Sequence, residues 1–100
     1  MYIAINRFRI QAGRELDFEK VWAERDSHLH EVPGFKEFHL LRGETADDVT
    51  VYLSHSVWAS HDAFQAWTRS ESFRKAHSRA GGTSGTVLGH PQFEGYEVVL

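Results

Sequence analysis

Asn6, Trp67 and His77 are the residues whose types and settings suggest chemistry. In the stretch Tyr2–Ile10 alternate side chains share a face, so Tyr2, Ala4, Asn6, Phe8 and Ile10 form one row. Asn6 is its odd member. Burying an amide without partners costs about 1–3 kcal/mol, so Asn6 either bonds to neighbouring backbone or points into a wet or ligand-filled cavity. Its apolar company favours the cavity. His77 lies late in the second helical stretch, one turn after Phe73 on the same face. A neutral imidazole is the commonest biological metal ligand and a standard axial ligand for haem iron, although a lone histidine on a semi-apolar face is more often a packed side chain. Trp67 stands three residues after Phe64 and, by itself, reads as a core aromatic.

The elements between these residues decide whether they meet. Residues 2–10 are rich in β-formers and end at the turn Gln11-Ala12-Gly13. From Arg14 to about His30 the period becomes helical, with Phe18, Val21, Trp22, Arg25 and Leu29 on one stripe. Pro33-Gly34 then breaks the chain. Phe35–Arg42 and Val49–Trp58 read as an antiparallel pair joined by the acidic link Gly43–Asp48. Ser60 is a candidate N-cap for a helix holding Phe64 and Trp67, and Ser70 for a further turn or two through His77. Residues 80–85 have the composition of a flexible loop, and a strand from about Gln92 to Leu100 closes the chain.

The order β-α-β-β-α-β predicts an α+β, ferredoxin-like split βαβ unit, with an antiparallel sheet and both helices on one face. There the first strand lies beneath the helices. Asn6, Trp67 and His77 can then converge on one pocket, an arrangement for gripping a flat ligand by its edge. The opposite sheet face carries Ile3 and Ile5, and a bare apolar face predicts sheet-on-sheet dimerisation. A single domain over residues 1–100 is expected, with no repeat or linker.

Composition removes whole classes of function. The net charge of −3 gives no general pull toward nucleic acid or anionic membrane. With no cysteine, disulfides, thiolate nucleophiles and zinc–sulfur sites are excluded. No apolar run approaches the roughly 20 residues of a membrane span, and the N-terminus reads as a strand rather than a signal peptide, so a soluble cytoplasmic protein is expected. His28 and His30 stand two apart and would diverge on a helix, whereas His39 and His55 could be neighbours across paired strands. Neither pair argues for a dedicated non-haem metal site. Glu71, Glu94 and Glu97 have no paired-carboxylate context, and no Ser-His-Asp set, phosphate loop or dinucleotide fingerprint is present.

Three stretches carry a resemblance over essentially the whole length: Ala4-Ile5-Asn6-Arg7, Val57-Trp58-Ala59-Ser60-His61-Asp62-Ala63-Phe64-Gln65-Ala66-Trp67, and Phe73-Arg74-Lys75-Ala76-His77-Ser78-Arg79. On these the chain resembles the antibiotic biosynthesis monooxygenase superfamily and, within it, the IsdG-type haem-degrading monooxygenases. The second stretch is shared widely in the superfamily and speaks for the fold, a dimeric α+β barrel. Asn6, Trp67 and the Ala76-His77 pair together single out the haem-degrading branch. His77 discriminates, because the superfamily's cofactor-independent quinol oxygenases have no need of an axial histidine.

The resemblance implies that haem is both cofactor and substrate, opened with O₂ and external electrons from a reductase, with no flavin. His77 would be the axial iron ligand, Asn6 the distal hydrogen-bond donor, and Trp67 the residue that presses the porphyrin out of plane. Trp22, Phe64 and Phe73 would wall the pocket, while Arg25 and Arg79 would meet the propionates. Two alternatives stay open on the residues alone: a cofactor-independent oxygenase of a quinol-like aromatic, and a non-catalytic haem-binding protein.

Overall fold

The computed structural model describes residues 1–24, 29–70 and 87–100. Its elements run β1 (Tyr2–Gln11), α1 (Glu15–Ala23), a 3-10 turn (Leu29–Glu31), β2 (Phe35–Ala46), β3 (Val49–Trp58), α2 (His61–Thr68) and β4 (Gln92–Glu97). The strands form one antiparallel sheet in the order β2-β3-β1-β4, the arrangement expected of a ferredoxin-like fold.

Register sorts the side chains. Tyr2 pairs with Trp58, Ala4 with Ser56, Asn6 with Ser54, Phe8 with Tyr52 and Ile10 with Thr50, so these ten residues share one face. Both helices pack there: the Phe18 ring meets Phe8 and Tyr52, and the Trp67 ring meets Trp58. Ser60 starts α2 in the manner expected of a cap, its extended backbone letting Oγ accept from the Ala63 N–H at 3.1 Å. Gly34 lets α2 sit close, since its φ is +85° and a Cβ there would lie 2.5 Å from that of Ala63.

Three elements differ in length from the pattern in the sequence. The hydrophobic stripe extends to Leu29, but α1 ends at Ala23 and Leu29 is buried from the separate 3-10 turn. Residues 43–46, part of the polar, acidic link 43–48 that suggests a loop, continue β2, leaving a two-residue turn at Asp47 and Asp48. Their φ values of 52° and 62° suit the turn whose twist matches a hairpin. At the other end β4 stops at Glu97, which pairs with Tyr2, the first residue of β1. Beyond it only the Val98 N–H still bonds, to the Met1 carbonyl at 2.9 Å, because the partner strand has run out.

The core is divided in two. One cluster gathers Tyr2, Ala4, Leu29 and Trp58 under α2; the other gathers Ile10, Phe18 and Tyr52 under α1. Trp58 is wholly buried, rings of Phe35, Phe64 and Trp67 surround it, and its indole N–H donates to Ser56 Oγ at 3.0 Å. Trp58→Ala is therefore expected to cost about 3–5 kcal/mol, read as a lowered midpoint in urea. A loss below about 1 kcal/mol would mean that the first cluster does not hold the fold.

The opposite face carries Ile3, Ile5, Val51 and Leu53 half-buried and Leu41 exposed, a largely apolar centre. At its β4 edge Arg7 pairs with Glu94 at 3.2 Å. A hydrogen bond from Tyr96 and the Arg7 guanidinium hold the Glu94 carboxyl below the ordinary range. His39 and His55 do neighbour each other on this face, ring centroids 6.4 Å apart. Among the described residues no group of three or more His, Asp or Glu side chains could hold a metal, and no helix is long and apolar enough to cross a membrane.

Candidate functional site

Asn6 sits midway along β1, between Ala4 of the first cluster and Phe8, which packs on the second. It is half-buried on the helix-covered face, and its amide has no hydrogen-bond partner among the described residues. Directly across the sheet stands Ser54, buried and likewise unbonded among those residues. A strip carrying an amide and a hydroxyl thus separates the two aromatic clusters. That is the setting for a group that waits for a ligand.

Aromatic rings rise on either side of this strip. From α2, Phe64 and Trp67 face each other at 6.1 Å between centroids, Trp67 also lies 5.2 Å from Trp58, and Phe64 stacks on Phe93 of β4 at 5.6 Å. The i, i+3 spacing of Phe64 and Trp67 puts both on the inner side of α2. From α1, Trp22 stacks on Phe38 of β2 at 5.6 Å and 17°. Trp22 and Phe38 also line an open cavity of about 500 Å³ between α1 and the β2–β3 hairpin, bounded by Ala23, Leu40, Glu19, Arg42 and Tyr52.

The polar end of that cavity is closed by a small network. Glu19 of α1 accepts from Tyr52 Oη and, at 3.3 Å, from the Arg42 guanidinium. Burial, reinforced by the Glu19 carboxylate and opposed by Arg42, pushes the Tyr52 phenol up to about 12. The neutral phenol is the form the fold favours. Its stabilisation is complete below the ordinary tyrosine value near 10, and is lost as pH rises from about 10 through about 12. Tyr52→Phe is expected to flatten the fall in denaturation midpoint over that interval. An identical alkaline profile in the variant would exclude Tyr52 as its source.

Of the residues the sequence singles out, Asn6, Trp22, Phe64 and Trp67 therefore share the helix-covered side of the sheet. His77, Phe73, Arg25 and Arg79 lie outside the described residues. Ser54, Phe38 and the Glu19–Tyr52–Arg42 network did not emerge from the sequence reading. One signal for Ser54 was available: Thr50, Tyr52, Ser54, Ser56 and Trp58 form a row of β3 that mixes hydroxyls with aromatics, as the β1 row mixes an amide with them. The network joins residues 23 and 33 positions apart, and no local pattern encodes it.

The arrangement suits a flat, mostly apolar ligand that carries one site of developing charge. Aromatic faces supply contact area and an unpaired amide supplies a directed donor.

Known proteins place the chain. The profile of the antibiotic biosynthesis monooxygenase family matches residues 1–79. A protein of Mycobacterium tuberculosis, "Heme oxygenase (mycobilin-producing)", is 33% identical over 98 residues, covering 98% of this chain and 89% of that protein. The structure of the heme-degrader MhuD from the same organism, with two hemes bound in its active site, superposes with a TM-score of 0.76 at 30% identity, over 100% of this chain and 97% of that one. SnoaB, a cofactor-independent oxygenase from Streptomyces nogalater, superposes with a TM-score of 0.71 at 23% identity over 99% and 93%, a likeness of fold. With its topology, core and most of its length matched, this chain belongs to the antibiotic biosynthesis monooxygenase family.

Proposed function

We propose that this protein is a haem-degrading monooxygenase of the IsdG type. The observation that carries the reading is the unpartnered Asn6 amide set between two aromatic walls, in a chain 33% identical to a mycobacterial heme oxygenase. The residues present fit haem: rings from α1 and α2 offer the flat apolar faces that a porphyrin needs, and Asn6 offers a directed polar group.

Bound haem supplies the redox chemistry and is itself the substrate, consumed with O₂ and external electrons to yield iron and an open tetrapyrrole. The chain supplies position and electrostatics. His77 is assigned to hold the haem iron through a neutral imidazole, and acidification that protonates it would release haem. Asn6 would offer an amide N–H to the bound group, where it would stabilise developing negative charge. Trp67, backed by Trp58 and Phe64, would pack against a porphyrin face, and such packing is a protein lever on the reactivity of the group. Trp22 and Phe64 are assigned to the wall together with Phe73, and Arg25 and Arg79 would pair with propionates.

The whole chain is assigned to one domain. Its largely apolar open sheet face is assigned to a homodimer contact, which encloses the sheet between two helical layers. An electron-donating reductase and a cytoplasmic location complete the proposal, with no nucleic-acid partner and no flavin.

Titration with haemin tests it. A Soret band that saturates at stoichiometric haem, then decays with ascorbate and O₂ as ferrous iron appears, is the expected result. No Soret band would end the proposal. A stable band under reductant and O₂ would make the protein a haem carrier.

A further inference from the structure

Register sends the strand arginines to different sides of the sheet. Arg7 is opposite Leu53 and Arg9 opposite Val51, so both stand on the open face. Arg42 pairs with Tyr52, which itself pairs with Phe8, and so falls on the face that the helices cover. A cation among rings and hydroxyls is out of keeping there, and it is held in place. Tyr52 Oη donates to Glu19, and Glu19 Oε2 accepts from Arg42 Nη1 at 3.3 Å. That bond occupies one N–H of the guanidinium and leaves others to give. The Arg42 and Glu19 side chains are 61% and 38% exposed, so their contact adds little to stability. Holding the fold together is therefore a weak reason for this charge.

Position supplies a stronger one. Arg42 lines the polar end of the cavity whose walls include the stacked rings of Trp22 and Phe38. Its charge is felt inside, since it opposes the rise that burial and Glu19 impose on the Tyr52 phenol. Leu40, which also lines the cavity, belongs to the transverse row Leu40–Ser54–Asn6. Arg42 thus stands two strands across and two residues along from Asn6. At sheet spacing that is about 12 Å between Cα atoms. A single flat ligand laid over the polar strip and into the cavity has the amide beneath it and the guanidinium at its rim.

We infer that Arg42 determines specificity for a carboxylate on the rim of the flat ligand, with Glu19 and Tyr52 fixing the guanidinium in position. Arginine suits the task because its planar fork of N–H groups matches a carboxylate. Glu19 weakens the field of that charge, and in return it keeps a long side chain from swinging into solvent. The inference rests on the haem reading, in which the carboxylate is a propionate. It adds a residue on the sheet to Arg25 and Arg79.

Haemin and its dimethyl ester test it, because they share ring and iron and differ in the charge of the propionates. Each is titrated by its Soret band into the native chain, Arg42→Gln and Arg42→Lys. The native preference for the acid over the ester is expected to fall about tenfold in Arg42→Gln. Affinity for the ester should stay at its native value, and Arg42→Lys should keep part of the preference. An unchanged preference in Arg42→Gln would give the carboxylate to other cations and overturn the inference. An equal loss for haemin and ester in both variants would mean that Arg42 shapes the cavity without reading charge, which overturns it too. Those two results leave the haem reading standing. No Soret band with either compound would instead remove that reading, and the inference with it.

Discussion

His77→Ala is expected to lower haem affinity by about a hundredfold or more, equivalent to roughly 2.8 kcal/mol, with the Soret band weakened and moved. The chain has seven histidines, five of them among the described residues. His39 and His55 lie on the sheet face away from both helices. His61, the first residue of α2, is exposed and sets its ring edge-on to Tyr2 at 4.8 Å. His30 and His90 are exposed. His28 and His77 lie outside the described residues, and His77 falls in the stretch that resembles haem-degrading enzymes. Haemin titration of the His77→Ala and His28→Ala variants checks the assignment. Undiminished affinity in the first would give the iron to another side chain. The same ligation predicts haem release on acidification, because the imidazole must be neutral to bind.

Asn6→Ala should separate binding from turnover. The amide hydrogen-bonds to none of the described side chains and adds little apolar contact, so haem affinity and the denaturation midpoint should stay near native values. The rate of Soret decay under ascorbate and O₂ should fall about 100-fold, the scale on which removal of one directed donor acts. Affinity and decay are read from the same absorption spectra. Unaltered decay would remove Asn6 from the chemistry; a collapse of affinity would make it a binding group instead.

Much of the fold was legible because it is written in periods. Alternation along Tyr2–Gln11 and Val49–Trp58, with Ser60 ahead of Phe64 and Trp67, needs only local sterics and burial to become strand, strand and helix. The lengths were less legible. The stripe on Phe18 and Trp22 continues to Leu29, but burial there comes from a separate 3-10 turn, and periodicity counts buried residues without regard to which element presents them. The polar, acidic link 43–48 hid the end of β2, where pairing of Thr45 and Ala46 with β3 outweighs a weak intrinsic preference.

The sequence by itself determined the order of the elements, the apolar row that contains Asn6, and the inward placement of Phe64 and Trp67. Each follows from neighbours a few residues away. Tertiary structure alone decided that Ser54 faces Asn6, that Glu19 meets Tyr52 and Arg42, and that the core is two clusters with a polar strip between them. Those facts depend on register, and sliding one strand by a single residue would turn every one of its side chains to the other face. Register is fixed by the fit of the whole sheet against both helices, a property that no short stretch of chain possesses.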